Sequence, residues 1–139
     1  MPLIQLIYVS SATRELSDPE LDDILQVSVR RNAEAGLTGM LIYADGNFMQ
    51  VLEGEEAAVR AAYARIERDP RHHHALVIDD SPVEQRDFPA WHMGFRRLTD
   101  ADRREHPGWA PFFLDGIDPA RFGARPGLAR EMLVTFSRR

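Results

Sequence analysis

The chain has 139 residues, 44% of them apolar and 28% charged, which suits one globular domain with one core. It has no cysteine, which excludes disulfides, thiolate metal sites and thiol nucleophiles and fits a cytoplasmic protein. A formal net charge of −5 weighs against direct nucleic-acid binding, no apolar run approaches the ~20 residues of a membrane-spanning helix, and the N-terminus lacks the basic and apolar regions of a secretory signal.

Residues 3–11, LIQLIYVSS, are the first expected strand. Ile4, Leu6 and Tyr8 share one face and Leu3, Ile7 and Val9 the other, so the strand is covered on both sides. Residues 17–36 predict a helix, with Ser17 or Asp18 as cap, Pro19 in its first turn and Gly36 at its end. Its inner face runs Leu21, Ile24, Leu25, Ser28, Asn32 and Ala35. LTGMLIYA (37–44) and NFMQVLEG (47–54) flank Asp45-Gly46 and predict a hairpin. Residues 55–70 predict a second helix opened by two glutamates and ended by Pro70, with Ala58, Val59, Ala62, Tyr63 and Ile66 inward. Residues 74–83 hold a strand. So do residues 88–98, with Trp91 and Met93 on one face and His92 on the other.

This order predicts an α+β fold: a ferredoxin-like βαββαβ plait with an extra fifth strand and both helices on one sheet face. The opposite face is also apolar and needs a cover. Residues 109–136, with Trp109, Phe112, Phe113, Leu114, Phe122, Leu128, Met132, Leu133 and Phe136, predict a C-terminal helical segment over it, or else a dimer surface.

Three polar residues fall on faces assigned to the interior: Tyr8, Asn32, and Gln50 between Phe48 and Leu52. A buried Tyr often bonds a carbonyl, and a buried Asn or Gln often ties down a loop. An unsatisfied buried amide costs about 1–3 kcal/mol. Three such groups converging on the helix side of one sheet point to a planar polar ligand between the two helices. Arg31, Arg65, Asp69 and Arg71 are either solvated surface or the residues that meet a polar or anionic end of that ligand. In RHHH (71–74) adjacent histidines face opposite sides of an extended segment, so no metal site is expected. Asp79, Asp80 and Glu84 sit in a turn-rich stretch beside Pro82 and read as solvated.

Tyr8, RN at 31–32, LTGMLIY at 37–43, NFMQVLEG at 47–54, RDPRH at 68–72 and WHM at 91–93 together closely resemble the BLUF domain, a blue-light sensor that uses a flavin. The resemblance covers roughly residues 2–100. It implies a flavin ring between the two helices, held without a covalent bond. FAD is the usual form, with FMN or riboflavin as substitutes because the dinucleotide part is loosely held. Asn32 would pair with the ring's N3 and C4 carbonyl edge, and Gln50 would lie between the ring and the Tyr8 hydroxyl. Arg71, with Asp69 nearby, matches contacts near the C2 carbonyl. Ile24 and Ser28 would pack along the ring, with Leu52 also among the binding residues. Arg31 would flank the ring or ribityl chain and Arg65 approach the phosphates.

The resemblance also implies the photochemistry. Tyr8 would lose an electron and then a proton through Gln50, the radical pair would recombine, and Gln50 would be left rotated or tautomerised. Absorption would shift slightly to the red. Trp91 and Met93 are either core residues or part of the photoactive set. No substrate is converted, so the chain is read as a non-enzyme, with residues 1–100 as flavin-binding core and 101–139 as a helical cap on the sheet or at an oligomer interface. With no room for a cyclase or phosphodiesterase, it is expected to be a stand-alone photoreceptor that acts through a homo-oligomer, dimer or larger, and a downstream protein partner. A flavin-free interaction module and a small enzyme on the same plait are the rival readings. An acylphosphatase-like site would show a glycine-rich loop that YVSSATREL lacks.

Overall fold

The structure is a computed structural model and describes residues 2–13, 16–44, 46–70, 72–98, 100–105 and 127–137. Its elements in chain order are β1 (Leu3–Ala12), α1 (Asp18–Ala35), β2 (Thr38–Ala44), β3 (Asn47–Glu55), α2 (Glu56–Glu67), β4 (His72–Val83), β5 (Gly94–Arg97), α3 (Asp100–Glu105) and α4 (Leu128–Ser137). The five strands form one sheet in the order β4-β1-β3-β2-β5. All pairings are antiparallel except that of β5 with β2, which is parallel. This is the expected plait with its fifth strand added beside β2. No described helix is long and apolar enough to cross a membrane.

Local chemistry sets the helix ends. Ser17 and Glu20 form a capping box at the start of α1, and Gly36 closes it in the left-handed conformation with φ 72°. The Tyr43 hydroxyl accepts the Leu16 N–H at 3.2 Å, which fixes the approach to that cap. The hairpin between β2 and β3 closes as Ala44 pairs with Asn47, and Gly46 takes φ 80° in the turn.

The sheet separates two cores. On the helix face Ile4, Leu6, Leu41, Phe48 and Leu52 pack under Leu21 of α1 and Val59 and Ala62 of α2. On the other face Ile7, Val9, Met40, Ile42, Met49 and Val51 pack against Met132 and Leu133 of α4. Those last two side chains are fully buried and each contributes about 1.5–3 kcal/mol. The C-terminal helix therefore covers the second face, as expected. Trp109, Phe112, Phe113, Leu114 and Phe122 lie outside the described residues, as do Arg71 and the side chains of Leu128 and Phe136.

Three local expectations need correction. Ala35 is exposed rather than inward, because α1 has run past the sheet by its last turn. Asp79 and Asp80 belong to β4 rather than to a turn. Asp80 pairs with Arg60 at 2.8 Å, and Asp79 accepts the Ser81 hydroxyl at 2.6 Å. Finally, β5 begins only at Gly94, so Trp91, His92 and Met93 form a bend and do not alternate across a strand.

Gly39 is needed where β2 passes this bend. A Cβ there would lie 2.0 Å from the Val51 carbonyl oxygen and 3.3 Å from the Met93 methyl group. The Gly39 N–H also donates to the Trp91 carbonyl at 3.0 Å. Gly39→Ala is expected to lower stability by about 1–3 kcal/mol, the usual cost of overpacking, read as a lower urea midpoint.

Arg130 of α4 donates two bonds to Asp87, each 2.7 Å. Arg130 holds the Asp87 carboxyl below its ordinary 3.8, with the Gln5 amide adding to the effect and burial opposing it. A depressed native value means this tether is complete above the ordinary carboxylate range and is lost as pH falls through the native value. Acid titration followed by the Met132 methyl resonance should therefore show α4 loosening below about pH 4, and Asp87→Asn should remove that acid limb.

Candidate functional site

A cleft opens between α1 and α2, with about 750 Å3 of empty space including open solvent at its mouth. Its floor is the sheet. Tyr8 of β1 and Gln50 of β3 are direct partners in the antiparallel register, so their side chains leave the same face together. A slip of one residue would turn both away. The Tyr8 hydroxyl donates to Gln50 Oε1. The other end of the amide, Nε2, donates to the Met93 thioether at 3.3 Å. Tyr8, Gln50 and Met93 are all buried. Burial raises the Tyr8 pKa strongly, with smaller contributions from Tyr63 and Asp69, so the phenol keeps its proton. The Tyr63 ring meets Tyr8 edge-on, with centroids 5.3 Å apart.

One wall comes from α1. Ile24, Ser28 and Arg31 recur at helical spacing along it, with Asn32 at its inner end. The second wall comes from Arg65 and Ile66 at the end of α2, with Asp69 just beyond. Arg31 and Arg65 are exposed at the mouth. The residues expected at a ligand therefore converge from four separate elements. Asn32 has a further task. Its Nδ2 donates to the His92 carbonyl at 2.6 Å, so this buried amide both faces the cleft and ties down the bend before β5. The His92 ring is exposed and lies 3.0 Å from the Leu37 carbonyl through Nδ1.

Three expected residues do not line the cleft: Leu52, Trp91 and Met93, the last joined to it through its bond with Gln50. Leu52 is fully buried in the core and does not line the cleft. Two residues along a strand carry a side chain about 6–7 Å from Gln50, and its cross-strand partners are Leu6 and Gly39. Trp91 is 39% exposed and also does not line the cleft. Its ring stacks on Phe88 at 6.4 Å and lies over Gly94, where a Cβ would meet the ring at 2.4 Å and Met40 Sδ at 2.9 Å. Phe88 and Met40 belong to the α4-side core, whereas Met93 belongs to the helix-side core. Trp91 and Met93 thus lie on opposite faces, contrary to the alternation drawn from sequence. Val27, Leu41, Phe48 and Ile66 also line the cleft and were not singled out. The helical spacing of Val27 from Ile24 and Arg31, and the shared face of Phe48 and Gln50, were the signals.

The donor set fits a flat heteroaromatic ligand. Apolar side chains offer a slot for a ring, Tyr8, Asn32 and Gln50 offer convergent hydrogen-bonding groups at one edge, and two arginines at the mouth suit an anionic tail.

Comparison with known proteins agrees with this arrangement. Residues 3–94 match the family model described as "BLUF: Sensors of blue-light using FAD". The chain is 40% identical over 88 residues to photoactivated adenylate cyclase subunit beta of Euglena longa, a match covering 63% of this chain and 10% of that protein. The corresponding subunit of Euglena gracilis gives the same identity and coverage, so the chain spans about a tenth of the length of these relatives. Among solved structures, the dark state of BlrB, a BLUF protein, superposes with TM-score 0.73 at 31% identity, covering 96% of this chain and 97% of that one. The photo-activated state of BlsA shares the fold, with TM-score 0.76 at 24% identity over 95% of this chain and 94% of that one. The chain belongs to the BLUF family of sensors of blue light that use FAD.

Proposed function

We propose that this chain is a light-driven hydrogen-bond switch in which Tyr8 and Gln50 carry the photochemistry, with FAD as the resident flavin. The observation that carries the reading is the chain of side chains that runs from Tyr8 and Gln50 on the cleft floor to Met93 buried behind them. When bound, the flavin supplies a blue-absorbing ring whose excited state is a strong oxidant. Asn32 and Gln50 would take its polar edge, Ile24 and Ser28 its face, and Arg31 and Arg65 its ribityl and phosphate end. Asp69 would meet the remaining polar edge, together with Arg71, which lies outside the described residues.

Tyr8 is the oxidisable phenol. Because burial keeps it protonated, loss of an electron must be accompanied by movement of its proton, and Gln50 Oε1 faces that proton. Gln50 is suited to a two-state role. One end of its amide is held by a strong phenol donor, but the other end is held by a thioether, which is a weak acceptor. Rotation or tautomerisation of the amide exchanges that weak bond at little cost, so two arrangements lie close in free energy. The Met93 bond is the one most easily given up, and Met93 lies in the bend that leads into β5. The altered hydrogen bonding is the output.

We read the chain as a sensor rather than a catalyst. The relatives are photoactivated adenylate cyclase subunits that extend well beyond the matched part, and a downstream protein partner would receive the signal of this chain. The exposed side of α4, which carries Arg130 and Glu131, would suit a contact in a homo-oligomer. The cysteine-free composition suits the cytoplasm.

The test is an absorption spectrum of the purified protein in the dark, under blue light and during recovery. A flavin spectrum that shifts reversibly to the red without bleaching is expected. A colourless protein that takes up no added flavin would overturn the reading. Gln50→Leu should still bind flavin but lose the red shift, and a normal photocycle in that variant would exclude the Tyr8–Gln50 mechanism.

A further inference from the structure

The connection between β4 and β5 crosses the end of the sheet where β3 finishes and β2 begins, and β3 grips it from both faces. On the helix face Gln50 bonds Met93. On the opposite face Glu53 accepts the backbone N–H groups of Asp87 at 2.9 Å and Phe88 at 2.8 Å. Its carboxylate also accepts the Thr38 hydroxyl at 2.8 Å and the Gln5 amide at 3.2 Å. The same Gln5 nitrogen donates to Asp87 at 2.7 Å, so two carboxylates share one amide.

Glu53 is fully buried, and each of its four donors is a neutral group. A buried carboxylate held only by dipoles, with a second carboxylate alongside, calls for a positive charge. Arg86 is close, but its guanidinium is directed at the Thr38 hydroxyl and at the carbonyls of Glu53 and Gly36. Arg130 of α4 meets Asp87 with a two-bond fork. Its own pKa is raised first by Asp87, and the charges of Glu53 and Asp79 add to the rise. From the clamped Phe88 to the bend is one short turn, closed by the Trp91 N–H to the Phe88 carbonyl at 3.1 Å.

We propose that Arg130 and Glu53 are positioning residues for the Gln50–Met93 contact. Arg130 balances the carboxylate pair, the pair fixes Asp87 and Phe88, and the turn passes that placement to Met93 on the far face of the sheet. A helix on one face thereby sets the environment of the amide on the other. The consequence for light sensing rests on the photoreceptor reading. By linkage, a change in the Gln50–Met93 bond must then alter the docking of α4 to the same extent in free energy.

The test is the Met93 methyl resonance of the full chain, as purified and kept in the dark. Arg130→Gln and Asp87→Asn should both shift it, and Arg130→Lys, which keeps the charge, should shift it less. Leu133→Ala is the control, because it loosens the same helix by apolar truncation and leaves the ion pair in place. A Met93 resonance unmoved in Arg130→Gln and Asp87→Asn overturns the proposal, and so does an equal shift in Leu133→Ala. The measurement needs no photochemistry, so a protein that fails to photocycle would refute the light-sensing reading and leave this result standing.

Discussion

The structure depends on the burial of one amide. Gln50 lies in the middle of a central strand, where its oxygen and nitrogen must both find partners or cost about 1–3 kcal/mol. Its register partner Tyr8 satisfies the oxygen. Met93 satisfies the nitrogen with a soft, weakly accepting sulfur. A stronger acceptor in that place would lock the amide, and a hydrocarbon would leave it unsatisfied. The thioether lies between these extremes: it satisfies the nitrogen with a weak bond.

The bend at residues 91–93 is held by groups from both sides of the sheet, and its order comes from these bonds rather than from a strand ladder. Asn32 holds the His92 carbonyl, and Gly39 holds that of Trp91. Glu53 and Arg130 act farther back along the same connection. Helix α1, strand β3 and helix α4 therefore all bear on one short segment, and the residue it delivers to Gln50 is Met93. Phe88 and Met93 anchor the segment in the two cores, and the polar bonds set its path between them.

Much of this was legible in the chain. Ser17 with Glu20, Gly36, and Asp45-Gly46 have local meanings, and the elements begin and end close to where those residues indicate. Period-2 alternation placed Tyr8, Phe48 and Gln50 on one face, and helical spacing placed Ser28 and Asn32 toward them. The misreadings came where local rules stop applying. Trp91 and Met93 are two apart and were taken as neighbours on a strand face. They sit in a bend whose shape is set by Asn32, Gly39 and Gly94, residues remote in sequence or without a side chain. Leu52, which the resemblance puts among the binding residues, shares a face with Gln50 but lies in the core outside the cleft lining.

By itself the sequence determined the elements, their order, and the presence of a buried Tyr, Asn and Gln on the helix side, because backbone propensity and side-chain periodicity act over a few residues. It also carried the motif set that marks the BLUF family. Only the tertiary structure decided which buried polar group bonds which, that Met93 reaches Gln50 while Trp91 stacks on Phe88, and that Asp87 pairs with Arg130 beside the buried carboxylate of Glu53. Those outcomes depend on contacts between residues as far as 82 positions apart. Their geometry is set by the packing of helices and sheet, which no local pattern encodes.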